Sequence, residues 1–141
     1  MRHWAERRGR SDSDRMIVGI GIDAIDIDRI ERMFADKGDR MLARLFTADE
    51  LAFISTKVAP AQHLAVRLAA KEATYKALAG NELARGIGWR DVEVFSRDDG
   101  APQLRLHGRA AERFAELEAK SAHVSLTHSV ATAVAVVVIE R

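Results

Sequence analysis

The sequence predicts an α+β domain in which an antiparallel sheet packs against one long, buried helix. Three observations carry that expectation. Residues 16–25 alternate with period two, as a strand does. Residues 60–80 stay apolar or small for most of their length between Pro60 and Gly80, which mark a helix start and stop. The C-terminal half carries two hairpin patterns, 89–107 around Asp98-Asp99-Gly100 and 122–140.

The elements follow in order. In the first strand Val18, Ile20 and Ile22 face one way and are assigned to the core. Gly19, Gly21 and Asp23 face the other way, a bare backbone face ending in a carboxylate. Two glycines on one strand face admit the close approach of a helix, another chain or a ligand. Asp28 with Glu31 resembles a capping box for a helix of about 28–36, with Ile30, Met33 and Phe34 inward and Lys37-Gly38-Asp39 as its break. Thr47 with Glu50 is a clearer capping box and opens a helix over about 48–56. The long helix follows. WRDVEVFSR (89–97) and PQLRLH (102–107) read as strands, GRAAERFAELEAK (108–120) as an amphipathic helix, and AHVSLTH (122–128) and ATAVAVVVIE (131–140) as the closing strands.

The chain has 141 residues, enough for one domain with a modest core. With 48% hydrophobic and 30% charged residues it reads as a soluble globular protein, and no apolar run approaches the ~20 residues of a membrane span. It has no cysteine, which removes disulfides and thiolate metal sites and fits a reducing cytoplasm. A formal net charge of +1 argues against a strongly polyanionic partner such as nucleic acid. The charge is uneven, because residues 1–15 hold five arginines against three acids. That segment has little apolar surface to bury and reads as a poorly packed extension. The working domain is expected over 16–141, with Met16 as its start.

The long helix raises the functional question, because charged residues interrupt its apolar run. At 100° per residue, Leu64, Leu68, Tyr75 and Leu78 form a bulky face. Val66, Ala70, Ala73 and Ala77 form a small face suited to the glycine strand. His63, Arg67 and Lys71 run along one boundary. Glu72 and Lys76 lie along the other beside Ala65 and Ala69, which would leave an open shelf. Glu72 and Lys76 at i, i+4 make an ordinary surface ion pair in the plainest reading, and Asp23 a strand-end cap. If the small face packs on Gly19 and Gly21, however, Glu72 comes near Asp23. Two carboxylates so placed need a shared proton or a cation between them. Two carboxylates plus substrate phosphates are a common way to hold Mg²⁺, and Arg67, Lys71 and Lys76 suit phosphate oxygens. This is chemistry for a diphosphate bound with Mg²⁺, with the substrate left open.

Four blocks resemble a known family: Gly19-Ile20-Gly21-Ile22-Asp23, Arg67-Leu68-Ala69-Ala70-Lys71-Glu72-Ala73 followed by Lys76-Ala77-Leu78, Trp89-Arg90-Asp91-Val92-Glu93-Val94, and Val124-Ser125-Leu126-Thr127-His128. In that order they resemble the holo-[acyl-carrier-protein] synthases, the small 4′-phosphopantetheinyl transferases, over residues 16–141. The resemblance implies the phosphopantetheinyl transferase fold. It implies transfer of the phosphopantetheine arm of coenzyme A to a serine of an apo acyl carrier protein, releasing adenosine 3′,5′-bisphosphate, within fatty acid biosynthesis. It implies Asp23 and Glu72 as Mg²⁺ ligands, Lys76 on the phosphates, and Arg67, Lys71 and His128 where coenzyme A binds. It also implies a homotrimer with sites between subunits, since the longer relatives carry two halves in one chain.

An acidic carrier protein calls for positive charge where it docks. Arg29 and Arg32 on the first helix, with Arg40 and Arg44 beyond it, are the candidates, and the resemblance favours Arg29. A solvated mixed-charge face is the plain alternative, because Asp28, Glu31, Asp36 and Asp39 lie among them. Trp89 is assigned to the core, and His63, His107 and His123 to structural or solvated positions. Two other functional classes remain at this stage: another small trimeric Mg²⁺ enzyme acting on a diphosphate, and a nucleic-acid module using the basic segment 1–15.

Overall fold

The computed structural model describes residues 16–78 and 85–141. The extension 1–15 and the helix stop at Gly80 lie outside the described residues. The described elements are β1 (Ile17–Asp26), α1 (Ile27–Leu45), α2 (Ala48–Ser55), α3 (Pro60–Ala77), a 3-10 turn (Trp89–Asp91), β2 (Val92–Ser96), β3 (Pro102–Leu106), α4 (Gly108–Glu116), β4 (Ser121–His128) and β5 (Thr132–Glu140). They form two antiparallel sheets, one of order β1-β5-β4 and one of β2-β3. None of the described helices is long and apolar enough to cross a membrane.

The glycine face of β1 decides how the layers meet. A Cβ on Gly19 would stand 1.8 Å from the carbonyl oxygen of Ala77, and one on Gly21 would stand 1.8 Å from that of Ala73. Only a bare backbone lets α3 come this close. The small face of the helix is therefore seated on β1, as its alanine spacing predicts. Ala69, Ala70, Ala73 and Ala77 of α3 join Ala135, Val137 and Ile139 of β5, and Val92 and Val94 of β2, in one core. A second core joins Ile27 and Ile30 of α1, Leu45 and Phe46, Ile54 of α2 and Leu64 and Leu68 of α3. Arg113, buried on α4, donates to the Leu78 carbonyl at 3.0 Å and fixes the C-terminal end of α3.

With the glycine face inward, Ile20 and Ile22 point out. They are 62% and 59% exposed, against the sequence reading that put them in the core. Val18 packs partly against the core, beside a register shift between Ile17 and Gly19. Ile20 pairs with Val138, Ile22 with Val136 and Ala24 with Val134, so these residues share the outer face of the sheet. The inner positions of β5, Ala133, Ala135, Val137 and Ile139, are fully buried.

Several boundaries shift for local reasons. The cap of α1 is Asp26, whose Oδ1 accepts from the Asp28 amide at 3.2 Å, in place of the expected Asp28. Gly38 does break the helix, at φ 58° and ψ −152°, but helical structure resumes to Leu45. It resumes because Met41, Leu42 and Leu45 have a core to pack on. Thr47 and Glu50 make both bonds of the predicted capping box, and Pro60 opens α3. The strand expected from residue 89 begins at Val92, because Asp91 turns the chain by accepting from the Gly88 amide at 2.8 Å. The helix α4 ends at Glu116 and not near 120. Glu118 adopts φ 56°, and Lys120 donates to the Glu140 carbonyl at 2.8 Å, which draws the chain into the sheet.

Gly21→Ala should destabilise the fold by about 3 kcal/mol, because the added methyl meets backbone that cannot retreat without lifting α3. Urea unfolding measures this. A change within about 0.5 kcal/mol, as for an unremarkable surface substitution, would mean that α3 is not held on the glycine face.

Candidate active site

The close approach of α3 to β1 brings a carboxylate from each element together. Asp23 ends the glycine face of β1, and Glu72 follows Lys71 on α3. Burial raises the Glu72 carboxyl above its usual range. A hydrogen bond to Asp23 and the charge of Asp23 add to the rise, while Lys76 and Arg29 oppose it. With Glu72 ionised that bond is lost, and Asp23 Oδ2 is buried with no hydrogen-bond partner among the described residues. Lys76 reaches across to β1, where its Nζ donates to Asp23 Oδ1 at 3.2 Å and to the Ile22 carbonyl at 2.9 Å. It acts on Glu72 through its field and does not close the expected i, i+4 pair. Its side chain is half exposed, so the ammonium is open to solvent.

Two cavities flank this pair. One of about 350 Å³ is lined by Glu72, Tyr75, Lys76, Ile87, Gly88 and Trp89, among others. The other, about 660 Å³, includes Asp23, Arg29, Met33, Arg44, Glu72 and Trp89. Glu72 and Trp89 line both, so they form the wall between them. Trp89 is 42% exposed and is not the core residue the sequence reading made of it. Tyr75, assigned to the bulky buried face, also opens to solvent. The shelf expected beside Ala65 and Ala69 is absent, since both alanines are fully covered. The open space lies on the Tyr75 and Trp89 side instead. Of the four arginines read as a docking set, Arg29 and Arg44 reach the cavity with the carboxylates. Arg32 and Arg40 are exposed elsewhere on α1.

Arg67 and His128 meet in a third cavity of about 560 Å³, which shares no lining residue with the other two. The Arg67 guanidinium lies 4.5 Å from the Phe53 ring centroid, donates from Nη1 to the His63 carbonyl at 3.4 Å, and leaves Nε buried and unpartnered among the described residues. Lys57 covers the same ring at 4.4 Å. Burial, followed by the charges of Arg67, Lys57 and His128, holds the His63 imidazole below its usual range. A pocket whose basic side chains together disfavour the protonated form of His63 suits an anion. Phe53, Lys57 and His63 line this cavity and were not among the candidate site residues. Their signal in the sequence is an aromatic with a lysine one turn on, which is too common to single out.

Lys71 departs from its expected role on the phosphates. It is 2% exposed, and its Nζ donates to Glu50 Oε1 at 2.7 Å, to the Trp89 carbonyl at 3.1 Å and to the Val92 carbonyl. An ammonium has three donors, and all three are spent inside the protein. Its partner Glu50 also accepts from the amides of Thr47 and Val94.

Asp23 and Glu72 offer two hard oxygen ligands, one of them with an orphaned oxygen, and that fits a divalent cation that keeps its waters. Among the described residues no group of three or more His, Cys, Asp or Glu converges to hold a metal unaided. Such a cation would complete its shell with water and substrate oxygens. A carboxylate pair next to a half-exposed ammonium, with Arg29 and Arg44 lining the cavity that holds both carboxylates, defines an enzyme that handles a phosphate-bearing substrate. The model of the 4′-phosphopantetheinyl transferase superfamily matches residues 19–135. A holo-[acyl-carrier-protein] synthase of Geobacter metallireducens is 46% identical over 126 residues, covering 89% of this chain and 99% of the relative. The crystal structure of the Neisseria meningitidis holo-[acyl-carrier-protein] synthase superposes with a TM-score of 0.81 at 29% identity, covering 89% of this chain and all of that one. The Bacillus anthracis holo-(acyl-carrier-protein) synthase, solved in complex with CoA (3′,5′-ADP), gives 0.72 at 34% identity over 89% of this chain and 98% of its own. The chain belongs to the holo-[acyl-carrier-protein] synthases of the 4′-phosphopantetheinyl transferase superfamily.

The raised Glu72 carboxyl has a consequence for stability. A carboxyl raised on folding favours the fold below the unfolded value of about 4.3 and loses that contribution as pH rises through the folded value. Glu72→Gln should therefore melt a few degrees above the parent at pH 7.5 without divalent cations, and the gain should vanish near pH 4. Thermal melts at the two pH values check this. An equal or lower melting temperature at pH 7.5 would show that the ionised Glu72 is not strained by its burial beside Asp23.

Proposed function

We propose that this protein transfers the 4′-phosphopantetheine arm of coenzyme A to a serine of an apo acyl carrier protein, releasing adenosine 3′,5′-bisphosphate. The observation that carries the reading is the Asp23–Glu72 pair, with its orphaned oxygen and with Lys76 beside it. The serine Oγ forms a bond to the phosphorus of the phosphopantetheine group, and the bond from that phosphorus to the bridging oxygen breaks. Mg²⁺ held by Asp23 and Glu72 would offset charge on the diphosphate oxygens. Lys76 supports the leaving phosphate with its exposed ammonium. The serine proton would pass to Glu72 or to a water beside it. Arg29, at the mouth of the carboxylate cavity, receives the acidic carrier protein; Arg44 lies in the same cavity, and Arg32 and Arg40 extend the positive charge along α1.

Intact-mass measurement of apo carrier protein with coenzyme A and Mg²⁺ tests the reading. The carrier should gain one phosphopantetheine. Asp23→Ala should slow transfer by at least about a hundredfold, in the range for loss of an electrostatic group at the reacting centre. Arg29→Glu should raise KM for the carrier, more at low salt than at high. No mass gain with wild-type protein would overturn the assignment.

The working form is a homotrimer. The support is the outer face of the β1-β5-β4 sheet, where Ile20 and Ile22 stand exposed beside half-buried Val134, Val136 and Val138. A contiguous apolar face of this kind favours association. Association would also set the Arg67–His128 cavity of one copy against the carboxylate pair of another, two features that lie apart within one copy. Ile22→Lys should give a folded monomer by light scattering, with transfer lowered at least about tenfold, as loss of a substrate-positioning wall would do. A fully active monomer, mutant or wild type, would overturn this.

A further inference from the structure

We propose that Lys71 and Glu50 are positioning residues, which together hold the Trp89–Val94 segment as the wall of the active site. The proposal rests on the transferase reading above and gives this lysine a different task from its neighbours on α3. Three pieces of chain meet at the pair. Glu50 belongs to α2 and also accepts from the Thr47 amide at 3.0 Å through Oε1. Lys71 belongs to α3. The third piece is the segment leading from the 3-10 turn into β2. Lys71 holds it by the carbonyls of Trp89 and Val92, and Glu50 Oε2 holds it by the Val94 amide at 3.1 Å.

The two side chains are essentially inaccessible to water, with 1% of Lys71 and none of Glu50 exposed. Lys71 lines the smaller cavity, but its ammonium is taken up by Glu50 and by the Trp89 and Val92 carbonyls. The ammonium lies 5.4 Å from the Phe46 ring centroid, which closes its remaining side. A buried pair satisfied on every donor fixes geometry better than it adds stability. What it fixes here is the backbone of Trp89, a residue that lines both cavities flanking Glu72. Lys71 is the residue next to Glu72 on the helix, so the pair ties the wall to the turn of α3 that carries the chemistry. Displacing such a wall by an ångström misaligns bound substrate without removing any group that touches it.

The test uses Lys71→Met, Glu50→Gln and the double variant, each with Trp4→Phe so that Trp89 is the sole tryptophan. The single variants should lower kcat by about tenfold or more, with KM for coenzyme A within about twofold, since neither group binds the substrate. Acrylamide should quench Trp89 more readily in each. The double variant removes both buried charges and should regain melting temperature relative to the singles, yet remain as slow as either, because the Trp89 and Val92 carbonyls still lack their donor. If either single variant fails to fold, the double variant alone decides. Recovery of rate together with stability would reduce the pair to a structural role and overturn the proposal. A raised KM for coenzyme A confined to Lys71→Met, with Trp89 quenching unchanged, would make Lys71 a phosphate ligand and overturn it as well. The quenching measurement stands without turnover, so a failed transfer assay with wild-type protein sinks the transferase reading and not the clamp.

Discussion

The contact between the bare face of β1 and the small face of α3 is the constraint from which the rest follows. A side chain at Gly19 or Gly21 would meet the α3 backbone well inside van der Waals distance. Because none is there, the helix lies against the strand and the next inward residue on β1, Asp23, is carried up to Glu72. The carboxylate pair is thus a product of packing. Its repulsion is tolerated because β1, β5 and α3 bury a continuous alanine- and valine-lined core around it. That burial stabilises the fold by more than one strained carboxyl costs.

The same contact assigns the sides of the sheet. Once the glycines are inward, the isoleucines have nowhere to go but outward, and β5 must be apolar on both faces to serve them. One face of β5 closes the core and the other continues the apolar strip begun by Ile20 and Ile22. Charge is sorted along α3 in the same way. Lys71 and Lys76 differ by five positions, enough to put one ammonium inside on Glu50 and the other outside on Asp23.

Much of this was legible in the sequence. Proline at the start of α3, the Thr47–Glu50 cap and the turn around Gly100 act over a few residues, and their chemistry is local. The nearness of Asp23 and Glu72 was legible too, because glycine and alanine spacings match only one way of stacking helix on strand. The parts that were not legible depend on partners distant in sequence. Period-two alternation defines two faces of β1 without saying which is inside. Glu50 reads as a capping residue, and its second oxygen gives no hint that Val94 and Lys71 converge on it. Two lysines near a predicted phosphate site look alike until one of them finds a buried carboxylate. Gly38 reads as a helix end, while the resumption of α1 depends on a core that Met41, Leu42 and Leu45 meet only in three dimensions.

The turn of α3 from Lys71 to Lys76 carries one half of the buried ion pair, a core alanine and the chemistry side by side, and this sets how the gene can change length. One residue inserted ahead of Lys71 would rotate everything beyond it by about 100°. It would turn Ala73 and Ala77 off the glycines, drag an ammonium out of its buried cage and swing Glu72 away from Asp23. No single compensating substitution restores three faces at once. The turn at Asp98-Asp99-Gly100 is exposed and open around its glycine, and it can lengthen without moving any of these groups. Insertions and deletions that survive in this chain are therefore confined to its turns, while the interval from β1 to the end of α3 keeps its register.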